Sequence, residues 1–496
     1  MVGLNLTLLA KIRGLLFEDG TWRAALFKNI FWATGSEAAV RVIRILTLIL
    51  LVRWLGPTEY GYYAYAFAFA SMFSIAFDAG SSTAVARIIS RKPTFIRFLP
   101  NIIAFKLLLV AGGLTLIAVA AFVSAPDSES RLVILIMGVF FAAQEILNLC
   151  YVMLRSLNRF RDEFVARFWY SVGAMVVVLL AVFFSPLGRV ATFSQAVVAI
   201  AAGIVVLAIM SKGKLGGNWR RNNVRIGKIL LLSALPLTLV NGASVLYTNI
   251  DTVLLGLFSS IQQAGLYSAA TRLLYIAQLP TAIVGLVIFP TLAAGIKNKS
   301  PENRLKWAEL MGGMTFVSIP VTMALVVCAT DLVGLVFGGK YDQSGHILEI
   351  MAFGLPPLYV YPMFVQALIM IGRMRALIVA SVGCATVVTV LFAILIKAFG
   401  STGAAMGLVV TNYLLAVVFG VMVHASGHLD VVRPALTWRN AAAGLSVALA
   451  ATTLLLLPAL PTGFLRIAAC LALFGTFYVA IAGVRSLVHG RARPEA

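Results

Sequence analysis

Fourteen stretches of this chain are apolar for long enough to cross a bilayer, and no soluble core can hide that many. A spanning helix needs about 20 apolar residues. Runs of roughly that length recur at 28–52, 61–85, 101–123, 131–154, 168–185, 190–210, 229–257, 264–290, 307–329, 346–371, 376–396, 402–424, 440–457 and 464–484. Hydrophobic residues make up 61% of the 496 and charged residues 11%, with a mean hydropathy of +0.98. Soluble chains are about a quarter charged. A water-soluble enzyme, a nucleic-acid-binding domain and a disordered chain are therefore excluded. The expected fold class is an all-α polytopic membrane protein with 14 transmembrane helices.

The basic residues give an independent check on that count. The formal net charge is +21, from 39 Lys and Arg against 18 Asp and Glu. With the N-terminus inside, the inner segments carry 29 of the 39, the seven outer loops carry 6, and 4 lie within spans. This is the positive-inside pattern of a chain with an even number of spans and both termini cytoplasmic. Residues 1–27 read as a basic amphipathic segment on the membrane surface, with Lys11, Arg13, Trp22 and Arg23. No signal-peptide cleavage pattern precedes the first run. Residues 485–496 read as a basic cytoplasmic tail.

An internal repeat organises the spans. The first span exits through Leu55-Gly56-Pro57 and the second enters at Tyr60-Gly61-Tyr62-Tyr63-Ala64; the seventh exits through Leu255-Gly256-Leu257 and the eighth enters at Ala264-Gly265-Leu266-Tyr267-Ser268-Ala269. Six spans separate the two sites, so the halves have the same orientation. This is a parallel repeat about an axis along the membrane normal. The expected lobes are 28–218 and 219–430, with spans thirteen and fourteen (440–484) outside the repeat. Pro236, Pro280, Pro320, Pro356, Pro357 and Pro362 sit within or near spans seven to ten. They read either as static bends or as hinges, since proline removes a helix hydrogen bond.

Ionisable residues inside spans are costly and default to a site hypothesis. Glu37, Arg41 and Arg44 share one face of the first span, at spacings of four and three. A face with three charges cannot point at lipid, so it faces an interior cavity. Span two holds Asp78, span three Lys106, span four Glu145, span seven Asp251 and span eight Arg272. Asp251 and Arg272 fall at similar depth and read as an interhelix pair. Lys106 reads as a snorkelling side chain near the cytoplasmic end, with Asp78 as a partner. Two arginines on one inner face suit an anionic ligand such as a pyrophosphate, because Arg binds phosphate bidentately and stays charged. The substrate candidates are thus Arg41, Arg44 and Arg272. Glu37, Asp78, Glu145 and Asp251 are either structural acids or carriers of a coupling H⁺ or Na⁺.

The chain has no GxxxxGK[ST] loop and no HExxH. Cys150, Cys328, Cys384 and Cys470 lie in separate apolar runs without a CxxC pair and read as small buried hydrophobes. His424 and His428, at i and i+4, read as interfacial. The longest loops are short and basic, with no room for the catalytic loop of an envelope enzyme. No enzyme activity, cofactor, metal or nucleic-acid partner is expected.

The stretch Leu50-Leu51-Val52-Arg53-Trp54-Leu55-Gly56-Pro57-Thr58-Glu59-Tyr60-Gly61-Tyr62-Tyr63 resembles the start of bacterial polysaccharide-export flippases. These form the O-antigen, exopolysaccharide and teichoic-acid branch of the multidrug/oligosaccharidyl-lipid/polysaccharide exporter superfamily. Phe77-Asp78-Ala79-Gly80 with Arg87, Arg155-Ser156-Leu157-Asn158-Arg159-Phe160, and Leu235-Pro236 through Asn249-Ile250-Asp251 to Gly265-Leu266-Tyr267-Ser268-Ala269-Ala270 are similar to later family segments, in order, over about 20–425. The resemblance implies two six-helix lobes around a central cavity plus two extra C-terminal helices. It implies alternating-access transfer of undecaprenyl-pyrophosphate-linked oligosaccharide to the periplasmic leaflet of the bacterial inner membrane, with H⁺ or Na⁺ coupling open. A polysaccharide polymerase and a chain-length regulator are the protein partners such a role implies. The alternatives are a lipid II flippase, an ion-coupled drug antiporter of the same superfamily, and a non-transporting scaffold subunit.

Overall fold

A computed structural model of the chain describes residues 22–91, 98–210, 224–281 and 301–427; the side chains of 22–38, 99, 210, 224–237, 301–306 and 308 are not among them. Spans thirteen and fourteen, residues 1–21, the tail 485–496, Cys470, His428 and the end of span eight lie outside the described residues. Within the described residues every regular element is helical.

The helices follow the apolar runs. The first is α1 (Trp22–Met72), which holds span one and the entry of span two; α2 (Ser74–Asp78) and α3 (Ser81–Arg91) continue span two. Spans three to six are α4 (Leu99–Ser124), α5 (Ser128–Ser156), α6 (Phe160–Phe184) and α7 (Gly188–Met210). Span seven lies in α8 (Val224–Phe258), and α9 (Ile261–Ala277) begins span eight. Span nine lies in α10 (Pro301–Phe337). Span ten is the pair α11 (Asp342–Ala352) and α12 (Leu355–Ile371), and α13 (Met374–His424) carries spans eleven and twelve.

Two helices are too long to be single spans. At about 1.5 Å per residue, 51 residues would reach about 75 Å, more than twice the hydrocarbon thickness. Both 51-residue helices are broken at a glycine: α1 at Gly56 (φ 77°, ψ 169°) and α13 at Gly400 (φ 58°, ψ −133°). Side chains with a Cβ rarely reach these angles, so each break falls where the sequence places glycine between two apolar runs. Among the described residues, six helices are long and apolar enough to cross a membrane. A seventh is counted if Gly339–Ala352 and Leu355–Ile371, meeting at 57°, form one broken span. Pro356 and Pro357 open the second half of that bent pair, where proline costs no hydrogen bond. The chain is a multi-pass membrane protein.

The chain divides into two compact units: Met1–Leu55 with Phe69–Thr238, and Gly56–Ala68 with Leu239–Ala496. In the first, α5 is central, touching α4, α3, α6 and most extensively α7. Val85, Ile89, Ile102, Leu147, Cys150 and Met153 form its buried core. The second is built on α10 against α11 and α12 against α13. Cys150, Cys328 and Cys384 are buried.

The two glycines of the sequence repeat meet inside the second unit. A Cβ built on Gly265 would stand 2.0 Å from the Pro57 carbonyl oxygen and 2.9 Å from the Gly61 nitrogen; one on Gly61 would stand 2.1 Å from the Ile261 oxygen. The backbones touch because neither residue has a side chain. In lipid, where apolar burial drives little helix association, such close approach carries the packing. Gly256 meets the Tyr65 ring and Gly407 the Phe392 ring in the same way. Gly265→Ala is therefore expected to destabilise the purified protein by more than about 2 kcal/mol. Gly334→Ala, with nothing within 4 Å of its Cβ, is expected to be neutral or stabilising. Paired thermal melts of the two variants in detergent check this.

Candidate functional site

The charges buried in the spans are arranged in three ways, and the tightest arrangement is in the first unit. After Asp78 the chain turns through Ala79 (φ 43°) and Gly80 (φ 73°) before α3 begins. The continuous span expected over 61–85 is thus broken at 79–80. The turn lets the Asp78 carboxylate cap α3: its Oδ1 accepts from Ser82 N (3.1 Å), Ser82 Oγ (2.6 Å) and Ser81 Oγ (3.1 Å). Lys106, seven residues into α4, inserts its ammonium beside this turn. It donates to Asp78 Oδ1 at 2.6 Å, to Glu145 Oε2 of α5 at 3.0 Å and to Ser81 Oγ at 3.5 Å. All three ammonium protons are placed.

Lys106 therefore does not snorkel, contrary to the expectation from its position near a span end. Its side chain is 2% exposed, because two carboxylates hold it inside. The pairing with Asp78 is as expected. Glu145 is the partner that spacing alone did not reveal.

In the second unit, Asp251 of α8 is buried. It accepts from Tyr267 Oη of α9 at 2.6 Å and from the Thr252 backbone N–H at 2.6 Å. It does not ion-pair with Arg272, as its depth had suggested. Arg272 is half-buried and donates a long 3.5 Å hydrogen bond from Nε to the Tyr60 hydroxyl. Its guanidinium lies 5.6 Å from the centre of the Phe67 ring, within cation–π range. Asp251 also lines a cavity of about 110 Å³, together with Tyr247, Thr248, Tyr275, Thr411 and Asn412. The buried Thr411 hydroxyl in its wall has no hydrogen-bond partner among the described residues.

Arg41 and Arg44 lie one turn apart on α1. Arg41 is half-buried and Arg44 is exposed, as are Val42 and Leu46. Arg44 follows Val42 by two positions, which is about 200° around the helix. The helix thus exposes apolar Val42 and Leu46 on one side and Arg44 on the other, with Arg41 half-buried beside it. The side chain of Glu37 lies outside the described residues.

With this geometry in view, similarity to known proteins is informative. The family described as "Polysaccharide biosynthesis protein" matches residues 26–295, more than half of the chain. The chain belongs to the polysaccharide biosynthesis protein family. A probable low-salt glycan biosynthesis flippase, Agl15, of Haloferax volcanii is 22% identical over 205 residues, covering 41% of this chain and 43% of that protein. The capsular polysaccharide biosynthesis protein CapF of Staphylococcus aureus is 26% identical over 138 residues, covering 27% of this chain and 34% of that protein. The matches thus span less than half the length of either relative. Among solved structures, the lipid II flippase MurJ in an inward closed conformation superposes with a TM-score of 0.73 at 14% identity, over 92% of this chain and 99% of that one. An inward-facing multidrug transporter of the MATE family gives 0.61 at 15% identity, over 77% and 94%. These likenesses show that the chain has the fold of this exporter superfamily.

The Asp251–Tyr267 contact has a consequence for stability. Tyr267→Phe removes the hydroxyl that donates to a buried carboxylate and is expected to cost about 1–3 kcal/mol. Asp251→Asn with Tyr267→Phe is expected to cost clearly less than the sum of the single changes, by about 1 kcal/mol or more. Chemical unfolding of the four proteins of this double-mutant cycle measures the coupling.

Proposed function

We propose that this protein is a flippase that moves undecaprenyl-pyrophosphate-linked oligosaccharide from the cytoplasmic to the periplasmic leaflet of the bacterial inner membrane. The observation that carries the reading is Arg44, exposed on α1 with the half-buried Arg41 one turn before it. Arg44 stands on the side of the helix opposite the apolar Val42 and Leu46. An arginine in hydrocarbon costs about 2.5–3.5 kcal/mol even on the lenient scale, so this face looks onto water or onto an anion. A polyprenyl pyrophosphate supplies such an anion while its tail stays in lipid. Membership of the polysaccharide biosynthesis family makes an oligosaccharide the natural cargo.

On this reading the lobes are 28–218 and 219–430, spans thirteen and fourteen (440–484) lie outside them, and both termini are cytoplasmic. The headgroup enters a hydrophilic path lined by the arginines while its polyprenyl tail stays in lipid. Arg41 and Arg44 bind the diphosphate, and Arg272, oriented by Tyr60 and Phe67, binds it from the second half. Neutralising the phosphates removes the main electrostatic barrier to crossing. Rocking of the lobes then exposes the headgroup outside. A drug antiporter would need an acidic path for its cationic cargo, and the three arginines argue against one. Any polysaccharide polymerase or chain-length regulator acts on the delivered repeat unit and need not touch this chain.

Loss of the gene is expected to accumulate undecaprenyl-linked repeat units and to abolish one surface polymer, both read by mass spectrometry of extracted lipids and polymer analysis. Normal lipid intermediates with normal polymer would overturn the reading. Arg41→Ala with Arg44→Ala is expected to reproduce the deletion at normal protein level, and Arg41→Lys with Arg44→Lys to restore part of the output, because lysine keeps the charge but loses the bidentate geometry. Unchanged polymer in the double alanine variant would remove these residues from the substrate path.

A further inference from the structure

The charges of the Asp78–Lys106–Glu145 cluster do not cancel. Two carboxylates face one ammonium, so the fully ionised cluster carries one uncompensated negative charge at membrane depth. Among the described residues, no other charged side chain lies within ion-pair distance of it. On α3, Arg87 and Arg91 are exposed. On α6, Glu163 is taken by Arg155 at 3.0 Å and by Arg167 at 3.6 Å. On α7, the one charged residue is Arg189, 3.4 Å from Glu129. Further along α5, the Tyr151 ring lies under Arg167 at 5.4 Å, and Cys150 is buried in the apolar core. An unpaired charge in such a place is expensive, and binding a single proton removes it.

The hydrogen bonds decide where that proton goes. Four donors converge on Asp78 Oδ1, one of them the α3 backbone. They suit an ionised carboxylate and leave it as the cap of a helix. Glu145 receives Lys106 at 3.0 Å, with Asn148 one turn on as its second side-chain neighbour. Its side chain is 17% exposed while that of Lys106 is 2% exposed. The glutamate is therefore the member that holds fewer donors and still has access to exchange.

We infer that Glu145 is an exchangeable-proton site, and that protonation there releases α5 from the Lys106 ammonium while the Lys106–Asp78 pair stays intact. The three helices then have two states. In one, α5 is tied through Glu145 to the α2–α4 ion pair; in the other, that tie is a neutral contact. A proton taken up on one side and released on the other would drive α5 between the two states. That use of the site rests on the flippase reading, whereas the site itself does not.

The test is an infrared pH titration of the purified full-length protein in lipid nanodiscs, following the C=O stretch of protonated carboxyl groups. The wild type is expected to show a titrating band that Glu145→Gln removes. Asp78→Asn takes away the excess negative charge and is expected to move the midpoint to lower pH by about one unit or more, a tenfold loss of proton affinity. Lys106→Met takes away the positive charge and is expected to move it to higher pH. Opposite shifts place the titrating carboxyl beside both the Asp78 and the Lys106 charges. The isosteric Asn and Gln variants keep the test decisive if Lys106→Met fails to fold. A band that survives Glu145→Gln, or a midpoint that Asp78→Asn leaves unmoved, overturns the inference. A protein that titrates as described but transfers no lipid-linked oligosaccharide in vesicles would sink the transport reading and leave the proton site standing.

Discussion

Hydrocarbon has no place for a charge, and the arrangement of the buried ionisable groups follows from that constraint. Each one must find a partner or a wet face. Lys106 solves the problem with two carboxylates and a serine. Asp251 solves it with a tyrosine hydroxyl and a backbone amide. Arg272 spreads its charge between a hydroxyl and an aromatic face. Arg44 is the exception, exposed on the side of its helix away from Val42 and Leu46. In the proposed function, that exposed position is where the substrate's anionic headgroup is met.

Helix packing obeys the companion constraint. Without a hydrophobic drive between helices, contact depends on how closely backbones can approach. The residues that allow it are the ones the sequence repeats. Gly61 and Gly265, the glycines of the two matching sequence segments, lie against each other, with Pro57 and Ile261 supplying the carbonyls. Tyr65 and Phe392 close over Gly256 and Gly407. The matching segments thus coincide with a packing requirement.

What the sequence made legible, and what it hid, divides along physical lines. Span positions are written in the apolar runs, and the breaks at Gly56 and Gly400 fall between runs where only glycine suits the angles. The Asp78–Lys106 pair was readable because both charges sit in adjacent apolar runs with no nearer partner. Glu145 was not assigned to it, because spacing along a helix says nothing about how that helix is rotated against its neighbours. The Lys106 side chain was misread for the same reason: position near a span end permits snorkelling, but two buried acids on other helices override it. Asp251 and Arg272 matched in depth, yet Tyr267, one turn nearer the start of α9, took the carboxylate instead. The turn at Ala79-Gly80 was hidden inside an apolar run, since hydropathy does not register a left-handed residue.

The most direct test of the central claim, that the basic face of α1 carries an anionic lipid headgroup across the bilayer, is transfer by the purified protein in sealed proteoliposomes. Lipid-linked oligosaccharide loaded in one leaflet is followed by its exposure to a membrane-impermeant glycosidase on the other side. The account predicts that the intact protein exposes the oligosaccharide and that the Arg41→Ala, Arg44→Ala protein does not. Equal exposure by both proteins, or none by either, would contradict it.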